Sequence, residues 1–385
     1  MTFDFDTVID RSGGDSSKWN RYAPGVLPLW VADMDFAAPP AVLEALARRL
    51  DHGVFGYGEA WPSLVSAVIG HLAQEYDWVV DPDWLLWLPG LVTGLNVACR
   101  AVGESGSAVF TSTPIYPPFL SAPKNSQRRV VSAPLKLVAG RWQWDFAAVE
   151  AALVPATKLF LLCHPHNPVG RAWHEDELRE IAAIARRHDL VVCSDEIHCG
   201  LILEPGRRHR PFAAQDADAA RRSITLMAPS KTFNIPGLGC AFAVIPDAAL
   251  RRAFAAAMQG IVPHVNVFGL AATEAAYRHC DAWHTALLDY LRGNRARVHA
   301  VIAALPGLAM TPVEATYLAW IDAREFSRIM GVADPRRCFE AAGVGLSAGE
   351  DFGGDAYRGY VRLNFGCPRA ILDAALARIA AAVKS

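Results

Sequence analysis

The sequence lacks the features that would direct it to a membrane, an oxidising compartment or a nucleic acid. Its net charge is only −2 over 385 residues, so its charge does not favour binding to nucleic acid or to an anionic bilayer. It has no run of about eighteen uncharged apolar residues that would indicate a transmembrane helix. The segment 1–6 is acidic and lacks the basic-then-apolar pattern of a signal peptide. These absences predict a cytoplasmic protein without a membrane or nucleic-acid partner.

Three common kinds of site are also missing. The eight cysteines are scattered, and Cys163, Cys193 and Cys240 lie in apolar runs, which is typical of reduced, buried thiols. No Gly-x-Gly-x-x-Gly turn is present, which disfavours a nicotinamide dinucleotide site. His164 and His166 flank a proline with no third ligand nearby, so we predict no metal site.

The chain is long enough for two domains, and 52% of its residues are hydrophobic. Short apolar runs alternate with helical patterns such as 174–188, which predicts an α/β fold with a mostly parallel sheet covered by helices on both faces. A long helical pattern over 284–305 is followed by further short strands, which indicates a smaller α+β domain. We predict a large domain over 45–285 and a small domain formed by 1–44 and 286–385.

Lys231 follows the apolar run Ser223–Met227, where a strand would deliver a side chain to the edge of a sheet. A lysine held in a cleft loses its proton readily and condenses with an aldehyde to form a Schiff base. Pro229 ends regular structure before it, and Ser230 adds a hydroxyl donor. The alternative is that Lys231 is a solvated surface charge, as most lysines are.

Two other apolar runs end in polar residues that suit the same chemistry. Asp195 ends Val191–Asp195, and a carboxylate at the carboxyl end of a strand can keep the ring nitrogen of pyridoxal phosphate protonated. Alternatively, Asp195 caps the next element. Asn167 lies between Pro165 and Pro168, and this rigid turn could direct its amide to the ring oxygen of the cofactor.

Arg362 is the candidate for binding the α-carboxylate of an amino acid. A guanidinium offers two parallel N–H donors that match a carboxylate. The apolar side chains of Val361, Leu363 and Phe365 point to the opposite face of the predicted strand, so Arg362 is presented alone. The alternative is an ion pair with an aspartate on the strand surface.

Several motifs, taken in order, resemble the fold-type I pyridoxal-phosphate enzymes of the class I/II aminotransferase superfamily. The closer resemblance is to its cystathionine β-lyase branch, the PatB/MalY-like carbon–sulfur lyases, and it covers essentially the whole chain. The Ala-Asp-Met-Asp-Phe run and the histidine after Asp-Glu-Ile favour this branch over ordinary aminotransferases. The motifs that carry the resemblance are 3–6, 8–11, 27–36, 53–57, 113–119, 194–198, 230–234 and 362–365.

The resemblance implies a large domain with a seven-stranded sheet, pyridoxal 5′-phosphate as cofactor, and Lys231 as its covalent anchor. It implies that the loop at Gly90, Leu91 and Val92 holds the cofactor phosphate, a reading that agrees with a glycine-containing turn before a helix. Ser230 would add its hydroxyl to the phosphate. The ring would stack on Tyr116, for which ordinary core packing is the alternative.

The resemblance also implies that Tyr57 reaches the phosphate of the partner subunit and assists proton transfer. Each site would then be shared between two chains, and a homodimer would be obligatory. The alternative is an exposed turn tyrosine. Gly58 follows Tyr57, where family members often have threonine, so local contacts are expected to differ.

Three further positions depart from the pattern of aminotransferases or close relatives. Many aminotransferases have a phosphate-binding arginine eight residues after the lysine, where this chain has Gly239. Carbon–sulfur lyases often lack that arginine, so its absence favours the lyase branch. His164 replaces a usual asparagine. His198 occupies the position of a tyrosine that contacts the ring oxygen of the cofactor, so we count it among the cofactor-binding residues.

The function that we predict is β-elimination from L-cystathionine or a related L-cysteine S-conjugate, in sulfur amino-acid metabolism. The products would be a thiol, pyruvate and ammonia. The first alternative is an aminotransferase using the same residues, since reaction choice depends on small differences in the pocket. The second is a regulatory protein with weak lyase activity. Possible walls for the distal part of the substrate are Trp61, Phe119, Tyr317 and the loop 349–354, and the sequence does not rank them.

Overall fold

The computed structural model describes residues 3–384. Short apolar runs form its strands, several of them rich in the β-branched and aromatic residues that suit a buried sheet. The strands are β1 Leu27–Pro28, β2 Leu85–Leu88, β3 Ala108–Thr113, β4 Arg129–Pro134, β5 Lys136–Val138, β6 Arg141–Gln143, β7 Thr157–Cys163, β8 Val191–Asp195, β9 Ser223–Met227, β10 Ala241–Val244, β11 Ala309–Met310, β12 Leu318–Asp322, β13 Val344–Gly345, β14 Ser347–Ala348 and β15 Tyr360–Asn364.

Most of the helices begin at prolines or at positions capped by a side chain. Asp145, Asp216, Asp247, Asn266 and Asp334 each accept a hydrogen bond from a backbone N–H of the first turn that follows. The helices are α1 Pro40–Asp51, α2 Pro62–Tyr76, α3 Leu91–Ala101, α4 Pro118–Asn125, α5 Phe146–Ala152, α6 Glu175–Arg187, α7 Ala217–Arg221, α8 Ala248–Met258, α9 Val267–His279, α10 Asp281–Ala303, α11 Arg324–Met330, α12 Pro335–Ala341 and α13 Arg369–Lys384.

Within the described residues, the largest sheet has seven strands in the order β2-β10-β9-β8-β7-β3-β4. Strands β9, β8, β7, β3 and β4 pair in parallel, and β10 is antiparallel to both of its neighbours. The predicted α/β class, the mostly parallel sheet and its seven strands are therefore confirmed. Separate apolar clusters on its two faces contain residues of α3 and α6, respectively.

A smaller antiparallel sheet, ordered β11-β12-β15-β14, lies in the C-terminal part of the chain. The N-terminal segment packs beside it, because β1 pairs in parallel with β13 and Leu29 accepts a backbone hydrogen bond from Asn364. The proposed boundaries at 44/45 and 285/286 fall inside α1 and α10, and the division into two domains stays a prediction. None of the helices between residues 3 and 384 is long and apolar enough to cross a membrane.

Candidate active site

The carboxyl ends of β7, β8 and β9 meet at one edge of the large sheet. Because these three strands are adjacent and parallel, the residues that follow them converge there, as in other open α/β sheets. A cavity of about 240 Å³ lies at this edge. Its lining residues are Val31, Ala32, Pro89, Gly90, Leu91, Val92, Thr93, Tyr116, Cys163, Asn167, Asp195, Ile197, His198, Ser230, Lys231, Pro236, Gly239, Cys240 and Arg362.

The structure therefore brings ten of the eleven predicted site residues to one cavity. They come from six separate parts of the chain that only the tertiary fold unites. The residue that is not part of the cavity in this single chain is Tyr57, whose side chain is fully exposed. The ten are Gly90, Leu91, Val92, Tyr116, Asn167, Asp195, His198, Ser230, Lys231 and Arg362.

Lys231 extends into this cavity from the turn after β9. Its Nζ donates a hydrogen bond to the backbone carbonyl of Ala32. Burial of the amine lowers its pKa to about 8; the charge of Arg362 also lowers it, while Asp33 and Asp195 oppose the shift. A substantial fraction of this amine is therefore neutral near pH 8 and able to act as a nucleophile or base.

Asp195 is the last residue of β8 and is only 4% exposed. Burial raises the pKa of its carboxyl to about 7, the neighbouring Glu196 adds to this, and a hydrogen bond from the backbone N–H of Ile197 opposes it. That hydrogen bond is 3.1 Å long and fixes Oδ1. A buried carboxylate in this state is poised to gain a cationic partner.

Arg362 lies in β15, and its guanidinium reaches the cavity from the smaller sheet. Nη1 donates to Oδ1 of Asn167 at 2.9 Å, and Nη2 donates to the backbone oxygen of Trp30 at 2.8 Å. Its carbon lies 4.7 Å from the ring centroid of Phe352. Burial lowers the Arg362 pKa to about 10, which leaves the group charged at neutral pH.

The amino end of α3 forms another wall of the cavity. Gly90 is its N-cap, and no side chain of the described residues caps this end, so the first N–H groups remain available to an anion. The Ser230 hydroxyl lines the same cavity. Gly239 has a positive φ of 56°, and a Cβ there would lie 3.3 Å from the Pro89 carbonyl oxygen. An arginine at position 239 would therefore be strained.

His198 and Tyr116 complete the polar lining. Burial lowers the His198 pKa to about 3, and the charges of Lys231 and Arg362 add to this effect, so the ring is neutral. Burial, reinforced by Asp195, raises the pKa of the Tyr116 hydroxyl. His198 Nδ1 is buried and finds no hydrogen-bond partner among residues 3–384.

These features fit pyridoxal phosphate in kind. The cavity offers a nucleophilic amine, a buried carboxylate for a ring nitrogen, and an uncapped helix amino end for a phosphate. Two buried donors, His198 Nδ1 and Arg362 Nε, are without partners in the described part of the chain. Buried polar atoms of this kind normally have partners, so the site suits a polar ligand.

Three residues that contact Lys231 or Arg362 were not predicted from the sequence, two of them because they act through the main chain. Ala32 and Trp30 bind Lys231 and Arg362 through carbonyl oxygens, which every residue type possesses. Ser347, whose Oγ is 3.4 Å from Nη2 of Arg362, lies in a two-residue strand with no distinctive motif. The Ala-Asp-Met-Asp-Phe motif was a usable signal for the segment that includes Ala32.

Of the side chains considered as distal walls, Tyr317 lies beside the cavity and donates to the Ala32 oxygen at 3.2 Å. Phe352, in the loop 349–354, packs on Arg362. Phe119 is fully buried in an apolar cluster. Trp61 lines a different cavity, next to Arg278. The fold thus separates candidates that composition could not rank.

Comparison with known proteins identifies the family of this chain. Residues 24–379 match the model of the family described as "Aminotransferase class I and II". The chain is 38% identical to cystathionine β-lyase PatB of Bacillus subtilis, over 98% of this chain and 99% of that protein. The crystal structure of OvoB superposes with a TM-score of 0.95 at 48% identity, covering 100% of both chains. Cystalysin from Treponema denticola, which contains a pyridoxal 5′-phosphate cofactor, has a TM-score of 0.93 at 32% identity, over 100% and 99% of the two chains.

Proposed function

This chain belongs to the class I and II aminotransferase family, in its cystathionine β-lyase branch, and we propose that it is a pyridoxal-phosphate-dependent carbon–sulfur β-lyase. Its substrates would be L-cystathionine or related L-cysteine S-conjugates. Substrate and water would yield a thiol, pyruvate and ammonia. The observation that carries this proposal is one cavity lined by the Lys231 amine, the Asp195 carboxylate and the Arg362 guanidinium.

Pyridoxal phosphate, when bound, supplies an electron sink for the electron pair left when a Cα proton is removed. The residues that would hold it are Lys231, Asp195, Asn167, Tyr116, His198 and Ser230, with the backbone of Gly90, Leu91 and Val92. The phosphate would occupy the amino end of α3, where helix dipole and free N–H groups favour an anion. Asp195 would keep a ring nitrogen protonated.

Lys231 is proposed to move the reacting proton. Because burial lowers its pKa to about 8, its neutral amine is available as a base near neutral pH. Removal of the Cα proton is followed by breakage of the Cβ–sulfur bond, and the sulfur leaves with the electron pair as thiolate. Tyr57 of a second copy would assist proton transfer.

Arg362 is proposed to orient the substrate. Its two terminal nitrogens face Asn167 and Trp30, which hold the guanidinium plane in place. A bidentate bond to the α-carboxylate would fix the Cα–H bond relative to Lys231, and such positioning contributes strongly to rate. Replacing Arg362 by lysine would keep the charge but lose the paired geometry.

A homodimer with shared sites forms part of the proposal. The segment 53–58 exposes Val54, Phe55 and Tyr57 in this single chain. Exposed apolar side chains grouped in one segment are typical of a surface that another protein covers. A second copy would bring its Tyr57 to the cofactor phosphate. We also propose that the protein works in the cytoplasm.

An aminotransferase remains the alternative reaction, because Lys231 would serve it equally well. The position of Gly239 favours the lyase. Its positive φ and the close Pro89 oxygen disfavour the arginine that many aminotransferases have there. A regulatory protein with weak lyase activity would use the same site residues and have a second role besides the reaction.

The experiment that tests the assignment replaces Lys231 by alanine. The variant is expected to release no thiol from L-cystathionine, since it lacks the amine that is proposed to move the Cα proton. Thiol is measured with a colorimetric reagent, and the near-visible absorbance of bound cofactor is recorded in parallel. Lys158→Ala, on an exposed position of β7, is the matched control and should retain full activity. A fully active Lys231→Ala enzyme would contradict the proposal.

A further inference from the structure

A second cavity adjoins the one that contains Lys231, and the proposed reaction does not explain it. This outer cavity has a volume of about 600 Å³. Val31, Ala32, Lys231 and Pro236 line both cavities. A substrate held by Arg362 and Lys231 in the inner cavity could therefore extend its sulfur substituent into the outer one.

Asp33 lines this outer cavity with a partly exposed carboxylate that could bind a ligand. Its side chain is 23% exposed, and its Oδ2 accepts one hydrogen bond, from Nη2 of Arg11 at 2.8 Å. The other oxygen, Oδ1, accepts none of the hydrogen bonds made by the described residues. The charge of Asp33 acts on both the Lys231 amine and the Tyr317 hydroxyl, so this carboxylate lies near the reacting end of the site.

The neighbouring Asp35 shows what a purely structural carboxylate looks like here. Its side chain is 3% exposed. It binds Lys18 at 2.6 Å, Arg11 at 2.8 Å and Trp19 at 2.9 Å. These bonds fasten the N-terminal segment and saturate the carboxylate. Asp33 differs because it shares Arg11 with Asp35 and keeps an oxygen free at the cavity wall.

We propose that Asp33 selects L-cysteine S-conjugates whose leaving group carries a positive charge, such as an alkylammonium group. The inference rests on the proposed lyase function and names the substrate class within it. Arg362 would bind the carboxylate end and Asp33 the distal cation. In a partly enclosed cavity, a charge-assisted hydrogen bond of this kind is stronger than one in open water.

The test compares two conjugates of equal length, S-(2-aminoethyl)-L-cysteine and S-propyl-L-cysteine, in which an ammonium group replaces a methyl group. The wild-type holoenzyme is expected to favour the cationic conjugate by about tenfold in kcat/KM, mainly through KM. In Asp33→Asn the ratio should fall to near one. Asp33 also raises the Lys231 pKa, but that effect applies to both conjugates and cancels in the ratio.

Two further variants keep the test selective. Asp33→Glu retains the charge and should keep most of the preference. Asp15→Asn removes the same charge from an exposed position of the same cavity, and it should leave the ratio unchanged. An unchanged ratio in Asp33→Asn, or a wild-type enzyme with no preference, would overturn the inference.

Binding provides a readout that does not depend on turnover. In holoenzyme carrying Lys231→Ala, calorimetry should give a lower Kd for the aminoethyl conjugate than for the propyl conjugate. Adding Asp33→Asn to this variant should remove the difference in Kd. Equal Kd values for the two conjugates in the Lys231→Ala protein itself would overturn the inference. If the wild-type enzyme releases no thiol from L-cystathionine, the lyase proposal fails separately. In that case, or if neither conjugate is cleaved, the Kd ratio alone decides the role of Asp33.

Discussion

At the scale of single residues, the site depends on charged groups that are kept away from water. No hydrogen bond in residues 3–384 pairs Asp195, Lys231 and Arg362 with one another. Burial shifts the pKa of each group in the direction that favours its neutral form. Such groups destabilise the protein until a ligand of opposite charge binds. Perturbed ionisable groups in a cleft are typical of functional sites.

The loss of stability caused by burying an ionised Asp195 can be measured in protein freed of cofactor. Its pKa is about 7 in the folded protein, against an ordinary value near 3.8. The folded state therefore binds more protons than the unfolded chain within this window, and stability falls as the pH rises through it. Asp195→Asn removes the titrating group and should raise the free energy of unfolding at pH 8 by about 2 kcal/mol or more.

Urea denaturation at pH 4.5 and pH 8 measures this effect. The two proteins should differ little at pH 4.5, where Asp195 is protonated. The same substitution should nearly abolish lyase activity of the holoenzyme. Equal stabilities at pH 8 would contradict the assigned cost of burial.

Lys231 leads to a kinetic prediction. Only the neutral amine condenses with an aldehyde, so the rate at which added pyridoxal phosphate is incorporated should rise with pH through about 8 and then level off. The charge of Asp33 raises this pKa, so Asp33→Asn should move the midpoint to lower pH. Stopped-flow absorbance follows the incorporation. A midpoint near 10.5, the ordinary lysine value, would refute an enclosed amine.

At the scale of elements, the turn that carries Asn167 is held by the buried carboxylate of Glu314. Arg141, Arg171 and Arg207 contact that carboxylate at 2.8 to 3.0 Å. Burial opposes its ionisation, but the three guanidinium groups prevail and lower the Glu314 pKa. The backbone N–H of Glu314 also donates to the Gly170 carbonyl at 2.8 Å. The network therefore joins the region before β12 to the turn after β7.

Glu314→Gln should be strongly destabilising, because it leaves the buried Arg171 with Glu177 as its one remaining carboxylate partner among the described residues and removes the shared partner of Arg141 and Arg207. The expected loss is about 3 kcal/mol or more in the free energy of unfolding, with reduced activity as the Asn167 turn loosens. Glu325→Gln is the control, since Glu325 pairs with Arg328 on the surface, where the loss of an ion pair changes stability little. Denaturant unfolding of both holoenzyme variants decides the matter, and a Glu314→Gln protein as stable as the control would refute the role of the network.

The elements that the sequence predicted well are those with strong local patterns. The runs at 223–227 and 190–194 formed β9 and most of β8, and the pattern over 174–188 formed α6. Strand β14 and the pairing of β1 with β13 were not predicted, because two-residue strands have no periodicity and are defined only by their partners. For the same reason, the site residues could be named from motifs, but the main-chain contacts of Ala32 and Trp30 could not.

At the scale of the whole molecule, the exposed segment 53–58 supports the proposal that one chain is an incomplete catalytic unit. Tyr57 is fully exposed, and Phe55 is 53% exposed although it stacks on Phe268 at 5.5 Å. A partner chain that covers these side chains would remove apolar surface from water and complete the site.

Mixing two inactive variants tests the shared site. Lys231→Ala and Tyr57→Ala homodimers should each have little activity. After exchange of subunits at equal concentrations, about a quarter of wild-type activity should return, because heterodimers contain one intact site. Sedimentation confirms the assembly state. No recovery in heterodimers that demonstrably form would show that Tyr57 acts within its own chain.

The central claim is that this chain eliminates a thiol from Cβ and does not exchange an amino group. The most direct measurement incubates the holoenzyme with L-cystathionine, without any 2-oxo acid, and follows pyruvate and free thiol together. Continuous release of both in equal amounts is expected. Absence of pyruvate and thiol, with amino-group exchange that requires an added 2-oxo acid, would contradict it and identify an aminotransferase.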